Sequence, residues 1–170
     1  KDEMGDYVAH PCDESWYGIN CNYDTGVPRV SGFSFTEHAL YKKIEYQYHT
    51  DYQPYEFPAK ISDYLAKFTM LTLLDFSDNG IFYSDGLYQL YVPSLETIIL
   101  KGNRIWGSLS AYRFHEMKNL KYLDVSTYSP YNDVGSIYGI IPYQLLTQLQ
   151  YLNVKGNQIS GTLDFTQETE

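Results

Sequence analysis

One five-position template recurs along this chain and constrains its fold more than any other feature. It reads Leu71-x-x-Leu74-x-Phe76-x-x-Asn79-x-Ile81 and again Leu95-x-x-Ile98-x-Leu100-x-x-Asn103-x-Ile105. Further copies are Leu120-x-x-Leu123-x-Val125 and Leu149-x-x-Leu152-x-Val154-x-x-Asn157-x-Ile159. A degenerate earlier copy is Val30-x-x-Phe33-x-Phe35-x-x-His38-x-Leu40. A unit this short cannot bury an apolar face alone, so neighbouring copies must stack around one continuous core. Strand side chains alternate, which points Leu74 and Phe76 inward and Leu73, Asp75 and Ser77 outward. Asn79, Asn103 and Asn157 fall where the chain turns away, and an amide there can satisfy backbone groups otherwise buried unpaired. At that rung the earliest copy has His38 and another has Tyr128. Neither side chain offers the amide's donor–acceptor pair, so local distortion or a bridging water is expected at those two rungs.

Only two cysteines are present, Cys12 and Cys21. A lone pair reads as a disulfide, half a metal site or two idle thiols. No second pair completes a zinc site, and His10, His38, His49 and His115 are scattered.

The repeated template resembles the leucine-rich repeat family, and its period near 24 resembles the plant-type extracellular subclass. That subclass adds a Gly-x-Ile-Pro half-motif, here Gly139-Ile140-Ile141-Pro142, with weaker echoes at Gly107-Ser108-Leu109 and Gly161-Thr162-Leu163. Phe57-Pro58 followed by Ile61, Leu65 and Phe68 resembles the convex segment of the first repeat, and the stretch from Pro11 to Asn22 resembles the family's Cys…Trp-x-Gly-x-x-Cys N-terminal cap. The resemblance covers residues 11–165 and implies an α/β solenoid. This is a short curved stack with a parallel β-sheet on its concave face and a mostly irregular or 3-10 convex side. The implied organisation is a cap over 1–29, five repeats over 30–165 with insertions at 41–56 and 128–136, and a polar tail at 166–170 without a C-terminal cap. The resemblance also implies a Cys12–Cys21 disulfide, with Trp16 as the apolar plug and Gly18 at a bend. A disulfide suits an oxidising compartment, so the expected location is extracellular, secreted or at the cell surface. No Asn-x-Ser/Thr sequon occurs, which leaves O-linked glycans on the insertions as the glycan type to expect. The chain opens at Lys1 with no initiator Met and no signal-like apolar run, as a processed or partial chain does.

Charge narrows the partners. The net charge of -9 repels phosphate backbones and anionic lipid headgroups, so nucleic acid and acidic membranes are excluded as expected partners. No apolar run approaches the length of a membrane span, so no direct membrane insertion is expected. Chemistry is equally sparse. There is no Gly-rich phosphate loop, no His-Glu-x-x-His and no Gly-x-Ser-x-Gly. Asp75 and Asp124 lie two rungs apart on what reads as an open, solvated acidic face, where their pKa values would shift little. No loop supplies the dense oxygen ligands of a Ca²⁺ site. The expectation is a chain that is not an enzyme and holds no cofactor or metal.

Tyrosine is the compositional excess, 19 residues, and its apolar ring and polar tip suit contact surfaces. The outward columns of the sheet run Leu73, Thr97, Tyr122, Tyr151, then Asp75, Ile99, Asp124, Asn153, then Ser77, Lys101, Ser126, Lys155. The candidate binding face is therefore Leu73, Asp75, Ile99, Lys101, Tyr122, Asp124, Tyr151 and Asn153. The first insertion supplies Tyr41, Tyr46, Tyr48, Tyr52 and Tyr55 as a candidate assembly surface. The expected function is non-catalytic protein–protein interaction with itself or another extracellular protein. End-to-end self-assembly into a structural fibre or matrix would be driven by an uncapped last strand. The alternatives are a ligand-binding ectodomain fragment of a receptor or adhesion protein, or a secreted enzyme inhibitor.

Overall fold

The computed structural model describes residue 12 and residues 17–24, 26–36, 61–79, 81, 85–128 and 136–162. Trp16, His38, the insertion at 41–56, residues 129–135 of the second insertion and the tail lie outside the described residues.

The elements run β1 (Ile19–Asn22), β2 (Arg29–Ser34), α1 (Ile61–Leu65), β3 (Leu73–Asp75), α2 (Asp85–Tyr88), β4 (Thr97–Ile99) and β5 (Gly107–Ser108). Two 3-10 turns, Leu109–Ala111 and Arg113–Glu116, come next. The chain continues through β6 (Tyr122–Asp124), β7 (Ile137–Gly139), α3 (Tyr143–Gln148), β8 (Tyr151–Asn153) and β9 (Gln158–Ile159). The main sheet has the order β1-β2-β3-β4-β6-β8. Only the β1–β2 pair is antiparallel; from β2 onward each strand pairs in parallel with the next. The register is uninterrupted: Phe33, Leu74, Ile98, Leu123 and Leu152 face one another in sequence.

That register follows from burial. Leu74, Ile98 and Leu123 are 0% exposed, and so are Leu71, Leu95 and Leu120 at the template's first position. Each such aliphatic side chain contributes about 1.5–3 kcal/mol by leaving water, and a one-residue slip would turn the whole set outward. The stack is thus one core, each rung completing its neighbour.

The N-terminal end is closed by a hairpin. Cys12 and Cys21 form a disulfide with Cα atoms 5.8 Å apart, and the Tyr23 hydroxyl donates to the Cys12 carbonyl at 3.0 Å. Gly18 has φ +74°, and its carbonyl accepts from the Ser34 amide at 2.7 Å. A Cβ there would run into the Ser34 carbonyl and the Phe35 ring, so the approach of β1 to β2 requires glycine. Among the described residues the apolar seal beneath this hairpin is built from phenylalanines. Phe33 meets Phe68 edge-on at 5.2 Å, and Phe35 meets Phe76 at 6.0 Å. Cys12→Ser is expected to cost about 2.5 kcal/mol, the loop-closure value for so short a loop. Denaturant unfolding of oxidised and reduced wild type beside the variant measures it; reduction should reproduce the loss.

The far side of the stack carries the two 3-10 turns and largely irregular segments. Beside them β5, β7 and β9 form a second, short parallel sheet, with Ser108 facing Tyr138 and Tyr138 facing Gln158. At Gly107, φ is +139°, and a Cβ would collide with the Tyr88 hydroxyl. α3 starts directly after Pro142, whose ring fixes φ at -58° and which needs no amide partner there. Gln148 then ties α3 to the preceding turn, donating to the carbonyls of Phe114 and Met117 at 3.2 Å each.

Candidate binding face and its supports

Asparagines hold the rungs together from inside. Asn103 Nδ2 donates to Phe76 O on the preceding rung and to Leu100 O on its own, each at 2.8 Å. Its Oδ1 accepts from the amides of Asn79 at 3.1 Å and Ile81 at 3.0 Å. Asn157 repeats the pattern against Val125 O, Val154 O and the Ile137 amide, and Asn79 donates to Phe35 O and Ser77 O. Ile137 therefore stands where Ile81 stands two rungs earlier. The second insertion sits between the Asn position of its rung and that isoleucine.

Tyr128 does not take the place of the missing amide. It is exposed, and Lys101 Nζ lies 5.4 Å from its ring centre. A phenol is too long for the space an asparagine fills, so it turns outward. Its hydrogen bond with Lys101 is the main cause that raises the lysine's pKa.

The acidic column also departs from expectation. Asp124 is 5% exposed, so it is not part of a solvated face and is closed to a ligand. Its Oδ1 accepts from the Ser126 amide at 2.9 Å, and its Oδ2 accepts from Asn153 Nδ2 at 3.0 Å. Asp75 does the same for Ser77, taking the amide at 3.0 Å and the hydroxyl at 2.6 Å, and Asn153 accepts from the Lys155 amide at 3.1 Å. These side chains cap the ends of their strands. Ser77 and Ser126 are consequently buried instead of facing outward. The signal was present as Asp-x-Ser at 75–77 and 124–126.

What remains accessible on the face is aromatic and aliphatic. Tyr122 and Tyr151 are Cα partners on β6 and β8, with rings stacked at 4.1 Å between centroids and 6° between planes. Partial burial, then the Tyr151 hydroxyl, pushes the Tyr122 phenol above its ordinary pKa. In the same column Tyr122 faces Thr97, which faces Leu73, and in the next Ile99 lies between Asp75 and Asp124. Leu73 and Ile99 are half-buried, and Lys101 and Lys155 fringe the patch. The face thus brings together Leu73, Ile99, Tyr122, Tyr151 and Asn153, with Lys101 beside them and Asp75 engaged at its margin. The Tyr41–Tyr55 group lies outside the described residues. Among the described residues no three His, Cys, Asp or Glu side chains gather into a metal-binding group. A second exposed patch lies on the β5-β7-β9 side, where Trp106 meets Tyr138 at 6.3 Å. A period-24 reading of the strands does not locate it.

No protein-family model matches the sequence, and no curated protein matches it. Solved structures do. A chain of the BIR3–SERK2 complex from Arabidopsis thaliana superposes with a TM-score of 0.58 at 24% identity, covering 94% of this chain and 70% of that one. The leucine-rich repeat ectodomain of the receptor kinase SOBIR1, also from Arabidopsis thaliana, gives 0.52 at 17% identity, over 92% of this chain and 88% of that one. The fold is a leucine-rich repeat solenoid. In this solenoid the asparagine ladder and the strand-end aspartates are frame, and the stacked tyrosines are what the frame displays. Among the described residues no helix is long and apolar enough to cross a membrane.

Proposed function

We propose that this leucine-rich repeat chain is a non-catalytic, extracellular protein-interaction domain that receives a protein partner on the Tyr122–Tyr151 face. The observation that carries the reading is the stacked, accessible tyrosine pair, with Leu73 and Ile99 in the same and the adjoining column. Rigid rings with polar tips, set among aliphatic side chains, supply large contact area at little entropic cost. The Asp75 and Asp124 carboxylates are already hydrogen-bonded within the chain, so neither stands free on this face as an acid or base. The disulfide-closed hairpin supports an oxidising compartment. A BIR3–SERK2 complex on a similar fold supports protein as the partner class, by analogy of architecture only. The test is binding of the chain to an array of secreted proteins and receptor ectodomains. Tyr122→Ala with Tyr151→Ala should lower affinity for a true partner by about 2 kcal/mol or more, roughly thirtyfold in Kd. Unchanged affinity in that variant, with unchanged melting, would overturn the assignment of the face.

A second reading, end-to-end self-association, has its own observation. Leu152, Val154 and Ile159 on the last described rung are half-buried, whereas Leu123 and Val125 one rung earlier are buried. A second copy docked there head-to-tail would complete that rung and propagate the stack. Light scattering and electron microscopy at micromolar concentration test it; a strictly monomeric chain rules it out.

A further inference from the structure

Tyr122 and Tyr151 share a property that does not depend on any partner. Parallel in-register pairing of β6 and β8 sets their Cα atoms opposite one another, so the rings lie face to face, 4.1 Å apart and 6° from parallel, by the backbone's own geometry. Tyr151 keeps 42% of its surface, so small oxidants reach the pair. The chain's two cysteines are bridged to each other, so it carries no thiol to reduce a tyrosyl radical. A second stacked pair supplies a contrast. Tyr88 and Tyr112 lie 4.6 Å apart, but Tyr112 is fully buried and its hydroxyl donates to the Trp106 carbonyl at 2.9 Å.

We propose that Tyr122 and Tyr151 form a templated site of oxidative cross-linking, which a haem peroxidase with hydrogen peroxide converts to dityrosine. Each phenol loses one electron and one proton and becomes a phenoxyl radical. The two radicals join through the ring carbons ortho to oxygen, forming one carbon–carbon bond. Each of those carbons then passes its hydrogen to its own oxygen, restoring the aromatic phenol. The two electrons and two protons reduce one hydrogen peroxide to two waters, so the chain loses two hydrogen atoms and gains one bond. The product staples adjacent rungs across the face, in addition to the hydrogen bonds that already join β6 to β8.

The experiment oxidises the dilute chain with a haem peroxidase and hydrogen peroxide and isolates the monomer by size exclusion. Cleavage before Asp133 separates the two tyrosines, and the fragments are sequenced by mass spectrometry. The expected result is a fragment pair joined at Tyr122 and Tyr151, two hydrogens lighter than its parts and fluorescent in the blue. Tyr122→Phe and Tyr151→Phe, each retaining the native circular dichroism spectrum, should reduce that product to background. Oxidation in urea sufficient to unfold the chain should do the same. A native monomer without this cross-link, or the same yield after unfolding, overturns the proposal. Because no partner is present, its failure leaves the binding assignment untouched.

Discussion

Tyr112→Ala is expected to destabilise the stack by about 3–5 kcal/mol, the range for emptying a buried aromatic site. The ring is fully buried and sits between two others. Tyr88 stacks on it at 4.6 Å with 18° between planes, and Phe114 at 5.3 Å with 19°. Those neighbours belong to α2 and to the turn Arg113–Glu116, so their backbones cannot both collapse into the space. Tyr112→Phe separates the ring from its hydroxyl. It removes the hydrogen bond to Trp106 O, which the Tyr88 hydroxyl also contacts at 3.4 Å, and should cost about 1 kcal/mol. Urea unfolding of the two variants measures both values. Equal losses would mean that the hydroxyl, and not the packing, holds this layer.

Asn103→Ala should cost about 3–4 kcal/mol, although it removes few atoms. The amides of Asn79 and Ile81 both donate to this one oxygen and would be left without it inside the stack. The carbonyl of Phe76 also loses its side-chain partner. Asn157→Ala, on the last described rung, where Asn157 is half-buried and water can replace the amide, should cost less than half as much. Chemical denaturation orders the two variants; a reversed order would show that water does not reach the Asn157 side chain.

The stack itself was legible in the sequence because geometry dictates it. A side chain that must sit at 0% exposure on the inner rungs can be replaced only by another apolar group, so Leu71, Leu74, Leu95, Ile98, Leu120 and Leu123 keep their spacing. The strand columns followed from the same spacing, since alternation and parallel pairing leave one register. What each outward side chain does was less legible. Asp124 and Asp75 occupy outward positions by periodicity, yet their carboxylates curl back onto the amides two residues ahead. Side-chain capping competes with exposure, and Asn153 across the rung decides the outcome for Asp124. Tyr128 shows the opposite limit, since its place in the template says nothing of whether a phenol fits there. The second sheet and the Trp106–Tyr138 contact depend on how far each return segment travels, which insertions alter without changing the strand pattern.

The second sheet gives the molecule an uneven mechanical character. From Gly107 onward, adjoining rungs are pinned along two separated seams, the main sheet and β5-β7-β9. Among the described residues the earlier rungs are joined by the main sheet, by the Asn79 and Asn103 side chains and by the Arg104 amide, which donates to Ile81 O at 2.8 Å, but not by a second sheet of paired strands. A body held along one seam twists and bends about it as a hinge does, whereas two seams a side chain's reach or more apart resist torsion as a box beam does. Bending is therefore expected to be easier before β4 than beyond it, and the tyrosine pair on β6 and β8 rides on the half that carries both sheets. A partner gripping those rings would meet the stiffer half, and tension applied along the stack is expected to open the earlier rungs first.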